Sequence, residues 1–184
     1  MALLARKAKL VAMSRFSKPI RAMDETIEHR FRVGVTDLDE NRHMNNARYL
    51  QYMELGRWDM MVRTGFLKYA LKAKVMSPVT NLTTVYRRPL SFGERFTVKT
   101  RILRWDDRTA TFEHALRNSR DEVSAIGIVE CRILSKDKSL TLTDIVRELG
   151  VEPGQNHDLD HTLSTQSSTL AKAILATTKV EKTP

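Results

Sequence analysis

The chain has one cysteine in 184 residues, Cys131. A lone thiol makes no internal disulfide, so a stapled secreted scaffold is excluded and a reducing compartment is expected. Cys131 lies in an apolar, strand-like run and reads as a small core residue, not a nucleophile. No stretch approaches the roughly 20 apolar residues that cross a bilayer. The opening MALLARKAKLVAMSRF is too interrupted by Lys and Arg to form a secretory signal core. Zinc-finger spacing, an RNP-like aromatic pattern and a helix-turn-helix are all missing. Histidines at 29, 43, 114, 157 and 161 do not fall at metal-ligand spacing, so neither a metal nor a cofactor is called for. Residues 1–23 lack acids altogether while holding Arg6, Lys7, Lys9, Arg15, Lys18 and Arg21.

That imbalance contributes much of the formal net charge of +9, from 31 basic against 22 acidic side chains. A positive surface favours anionic partners such as a membrane surface or a phosphorylated small molecule. Nucleic acid is not expected, because charge is its only support. The basic start has three readings: a packing segment ending at Pro19, a helix lying on a membrane surface, or an organelle transit peptide. The hydrophobic share of 41% and the length suit one domain with a tail. The expected divisions are a basic segment 1–23, a folded domain 24–150 and a flexible Ser/Thr/Lys-rich tail 151–184. Within the tail only a weak helix at 169–177 is indicated. A cytoplasmic location is expected, with peripheral membrane contact or an organellar matrix left open.

Period-two alternation over 29–35 sets Phe31, Val33 and Val35 against Arg30, Arg32 and Gly34, which predicts a half-buried strand. A polar run, 37–46, follows. From Ala47 the spacing turns helical through Met61, with Asn45 or Asn46 as cap and Gly65 as stop. Four more strands are predicted at 79–88, 96–104, 109–117 and 123–134, the short turns between them favouring antiparallel hairpins. On the third of these, Ala110, Phe112, His114 and Leu116 share a face. A helix at 142–149 begins at Thr141, with Asp144 three residues on, and ends at Gly150. The fold class is therefore α+β, a five-stranded antiparallel sheet around one central helix. Glu54 and Arg57, spaced i,i+3 on that helix, are placed to form an internal ion pair.

The polar run joins a strand end to a helix N-terminus, where free N–H groups and the helix dipole favour developing negative charge. Asp39 there can activate water or attack a carbonyl, and His43 or Asn41 can move a proton or orient a substrate. Acyl transfer uses such a set. Asp37 and Asn45 read equally well as turn and cap residues.

The run TDLDENRHMNNARYLQYMELGR, residues 36–57, closely resembles the motif of hotdog-fold acyl-CoA thioesterases of the 4-hydroxybenzoyl-CoA thioesterase superfamily. RWDDR at 104–108 matches the same branch, and DLDENRHMNN is similar to the motif of plant acyl-ACP thioesterases. The resemblance covers residues 29 to 135. It implies a hotdog domain that hydrolyses acyl-CoA, or acyl carried on acyl carrier protein, with Asp39 as the catalytic carboxylate. Asn41 and His43 match residues used by the plant-type enzymes, and Asn46 supplies the backbone N–H that polarises the thioester carbonyl. It further implies a homodimer, or a tetramer of such dimers, joined sheet edge to sheet edge. Arg87, Arg88, Arg101, Arg104 and Lys136 are candidate phosphate contacts. Tyr49, Met53, Met60 and Met61 are candidates for an acyl tunnel. The rivals are a hotdog acyl-CoA hydratase or dehydratase and a non-catalytic module binding acyl-CoA or lipid.

Overall fold

The structure, a computed structural model, describes residues 2–155. The expected weak helix at 169–177 and most of the expected tail lie outside the described residues. A helix α1 (Ala2–Ser14) precedes strand β1 (Ile27–Arg32), a 3-10 turn (Val35–Asp37) and the central helix α2 (Asn46–Arg63). A short α3 (Phe66–Ala73) follows, then β2 (Val79–Tyr86), β3 (Arg95–Trp105), β4 (Thr109–Asn118), β5 (Val123–Arg132) and α4 (Leu142–Glu148).

The five strands form one antiparallel sheet in the order β1-β3-β4-β5-β2. Alternation dictates which face is covered. On β3, Phe96, Val98, Thr100 and Ile102 are buried, and on β4 Ala110, Phe112, His114 and Leu116 are buried opposite them. The sheet wraps α2, whose buried residues include Tyr49, Tyr52, Met53, Leu55, Gly56, Arg57, Asp59 and Met60. Two glycines set how closely helix and sheet approach. A Cβ on Gly56 would clash with the Thr100 hydroxyl, and one on Gly127 with the Met53 thioether.

Local signals placed the helix ends of α2 and α4 well. Asn45 caps α2 by accepting from the Ala47 N–H at 2.9 Å, and Gly65 adopts φ 81° just after it. Thr141 and Asp144 exchange capping bonds at the start of α4, and Gly150 follows at φ 65°.

Three expectations are corrected. β1 stops at Arg32, and Val35, in the 3-10 turn, is exposed rather than half-buried. β2 does not pair with β3: it lies at the opposite edge against β5, while β3 pairs with β1. The segment 87–94 carries the chain across, turning through Gly93 at φ 75°. The Glu54–Arg57 pair does not form, since Glu54 bonds Lys7 at 2.5 Å and Arg57 bonds His114 at 3.1 Å. Strong partners on neighbouring elements displace the weak i,i+3 contact.

α1 packs along α2 rather than standing free. Arg6 reaches Asp37 and Tyr52, Lys7 reaches Glu54, and Ser14 bonds Asp59. No helix among the described residues is long and apolar enough to cross a membrane.

Candidate active site

The loop between β1 and α2 is pinned at both ends and free in the middle. Its first anchor is Asp37, fully buried. The Asp37 carboxylate accepts from the Gly34 N–H at 2.9 Å, the Tyr52 hydroxyl at 2.8 Å and Arg6 at 2.9 and 3.2 Å. Burial pushes its pKa up, but these bonds outweigh burial and hold it below the usual carboxylate value. The second anchor is Met44, buried, whose N–H donates to Leu90 O at 2.8 Å. Between them Asp39 N–H donates to His43 O at 2.9 Å, and Arg42 takes φ 60° to close the turn. Residues 39–43 are thereby held outward by a rigid frame, as a positioned catalytic loop requires.

Asp39 is half-buried. Its Oδ1 accepts from the Asn41 N–H at 2.9 Å and the His43 N–H at 3.3 Å, which fixes the carboxylate's direction. Its Oδ2 receives no hydrogen bond among the described residues. The side chains of Asn41 and His43 are exposed. At the start of α2, Asn45 occupies the Ala47 and Arg48 N–H groups. The Asn46 N–H has no acceptor among the described residues.

These groups open into one groove of about 450 Å³. Asp39, Asn41 and His43 line it from the loop, Asn46 and Tyr49 from α2, and Arg87 and Arg88 from the segment after β2. Seven of the catalytic and substrate-binding candidates named from the sequence thus line one groove. Tyr49 is buried and accepts from the Leu90 N–H at 3.2 Å, and burial raises its pKa, so its phenol stays protonated. Arg88 is half-engaged by Glu122 at 3.3 Å. Met44, Tyr86 and Pro89 also line the groove, and the sequence did not point to them. Tyr86 donates its hydroxyl to Asn46 O at 3.2 Å and packs edge-on against Tyr49. Only the pairing of β2 with β5, which is not local, brings it there.

The remaining candidates lie elsewhere. Arg101 pairs with Glu113 at 3.0 Å, and Arg104 and Lys136 are exposed away from the groove. The expected acyl tunnel is divided. Tyr49 faces the groove, Met60 and Met61 line a separate apolar cavity, and Met53, fully buried against Gly127, lines neither.

The groove is lined both by a half-buried carboxylate and by a helix N-terminal residue whose N–H is free among the described residues, an arrangement suited to attack on a carbonyl with the oxyanion held by the backbone. Comparison with known proteins agrees in kind. Residues 33–152 match the model of the thioesterase-like superfamily. The protein THEM6 of Danio rerio is 31% identical over 148 residues, covering 79% of this chain and 73% of that one. The long-chain acyl-CoA thioesterase FadM of Escherichia coli (strain K12) is 25% identical over 114 residues, 60% of this chain and 86% of that one. Among solved structures, the hypothetical protein TT1821 from Thermus thermophilus superposes with a TM-score of 0.63 at 23% identity, covering 71% of this chain and all of that one. The sheet order, the wrapped helix and the family match over most of the folded residues lead to one conclusion: the chain belongs to the thioesterase-like superfamily, with the hotdog fold.

Proposed function

We propose that the chain hydrolyses fatty acyl-CoA thioesters in the groove at the N-terminus of α2, with Asp39 as the catalytic carboxylate. One observation carries this reading: Asp39, whose Oδ2 accepts no hydrogen bond among the described residues, and Asn46, whose N–H has no acceptor among them, line the same groove. Asp39 takes a proton from water as the water attacks the thioester carbonyl, and the C–S bond then breaks with coenzyme A leaving as the thiol on that proton. Alternatively Asp39 attacks first, expelling the coenzyme A thiolate, which takes a proton from solvent, and water cleaves the resulting mixed anhydride. The Asn46 N–H, at the positive end of the α2 dipole, stabilises the oxyanion. Asn41 and His43 orient the substrate or the water from the exposed rim. Arg87 and Arg88 meet the phosphates of coenzyme A, and Tyr49 donates from the groove floor. The activity named for the FadM relative supports the choice of long-chain acyl-CoA.

Thiol release from saturated acyl-CoA substrates of graded length tests the reading, since a hydratase releases none and a binding module turns nothing over. Asp39→Asn is expected to lower kcat by roughly 10²–10⁴-fold while the thermal midpoint stays near wild type. Full activity in that variant would remove Asp39 from the chemistry, and absence of thiol release from the wild-type chain across the panel would remove the hydrolase assignment.

A further inference from the structure

The C-terminal half of α2 faces a second cavity of about 320 Å³, roughly three helical turns from the groove. Its walls are mostly apolar, with Met60 and Met61 from the helix, Ala110 and Phe112 from β4, and Ile133 and Val146, while Glu54, Thr64 and Ser77 add polar groups to the lining. Into this lining projects Arg57, only 8% exposed. A guanidinium stays charged at any physiological pH, and a buried charge is normally matched by an opposite one.

Arg57 has no such match. Among the described residues no carboxylate lies within ion-pair distance of it. Its one hydrogen bond among the described residues goes to His114 Nε2, a neutral ring whose Nδ1 faces the Thr100 hydroxyl at 2.9 Å. Glu54, an acid on its own helix that also lines the cavity, is held by Lys7 at 2.5 Å and by the Trp58 indole at 3.4 Å, and Asp59 is held by His29 and Arg63. Burial lowers the pKa of Arg57, and Cys131 and Glu54 offset that only in part. One hydrogen bond leaves most of the five donors of the guanidinium fork unused beside an apolar space.

We propose that this cavity binds an alkyl carboxylate, its hydrocarbon chain against the apolar walls and its carboxylate on the Arg57 guanidinium. Such a ligand supplies the missing counter-charge and the planar, two-oxygen acceptor that the fork matches best. The volume falls at the lower end of the range of about 300–1,000 Å³ for small-molecule sites, which favours a short or medium chain. The inference does not rest on thioester hydrolysis, because it concerns a different cavity.

Calorimetric titration of the full chain with octanoate, octan-1-ol and octylamine tests it. Octanoate is expected to bind at least tenfold more tightly than octan-1-ol, with octylamine weakest. Arg57→Met should erase the preference for octanoate and leave octan-1-ol binding in place. Ala110→Leu, which narrows the cavity while keeping Arg57, should weaken both ligands and decides the matter if the first variant does not fold. Asp39→Asn should leave octanoate binding unchanged, so loss of turnover and loss of this site are read separately. Equal affinity for octanoate and octan-1-ol in the wild type, a preference that survives Arg57→Met, or one that disappears in Asp39→Asn would each overturn the proposal.

Discussion

At the scale of single residues, His114 is wholly buried and hydrogen-bonded to both Arg57 and Thr100. Burial, with the Arg57 charge added, drives its pKa well below the ordinary 6.5. Below 6.5 the unfolded chain therefore takes up a proton that the folded chain refuses. Stability linked to this group is complete above 6.5 and declines as pH falls toward the lowered folded value. The thermal midpoint should drop on acidification below 6.5, and His114→Gln should flatten that part of the profile. An unchanged slope in the variant would contradict the assignment. Asp37 acts in a lower window. Its depressed pKa gives stability that is present above 3.8 and lost as pH falls through the folded value. Asp37→Asn removes the charge that pairs with Arg6 and one of the two oxygens that Arg6, Tyr52 and Gly34 share, and should cost on the order of 2–3 kcal/mol by denaturant titration. It should also slacken the loop that carries Asp39, so kcat should fall by less than in Asp39→Asn but measurably.

At the scale of elements, helix and sheet touch where side chains are missing. Gly56→Ala puts a methyl group into the Thr100 hydroxyl, and Thr100 cannot retreat because His114 stands behind it. A loss of about 1–3 kcal/mol is expected despite the better helix propensity of alanine, measurable as a shifted urea midpoint at constant slope. A stabilised Gly56→Ala would mean that α2 sits farther from β3 than described. This contact also marks the limit of what the sequence conveys. Alternation along β3 and β4 identifies Thr100 and His114 as inward-facing, because a period of two is a local property. That they meet Gly56 and Arg57 depends on which strands lie under the helix. The chosen order, with β2 sent to the far edge, is set by contacts distant in sequence, so hairpin logic alone pairs β2 wrongly with β3. The same division holds at the candidate site. The loop 37–46 declares itself by its polarity and its helix cap, and the family motif names Asp39. Tyr86 and the Arg6–Asp37 bond come from distant segments and leave no local trace.

At the scale of the molecule, the two edges of the sheet differ. β1 presents charged residues, Glu28, Arg30 and Arg32, which discourage further strand pairing. β2 presents Val79, Leu82, Val85 and Tyr86, all more than a third exposed, on an edge strand whose one strand partner among the described residues is β5. An open edge strand of eight residues with four exposed apolar side chains invites a second copy, and a two-fold axis across β2 would join two sheets with identical contacts on each side. The strand runs directly into Arg87 and Arg88, so whatever orders β2 also orders one wall of the groove. Leu82→Lys combined with Val85→Lys places like charges across that axis. The wild-type chain is expected to be a dimer by light scattering and the double variant a monomer with its fold retained by circular dichroism. Thiol release should then fall with dimer content, because the segment 87–89 loses its support while Asp39 and the helix N-terminus remain. A wild-type chain that stays monomeric at high concentration would refute the edge pairing. Full activity in the monomeric variant would show instead that each groove is complete within one chain.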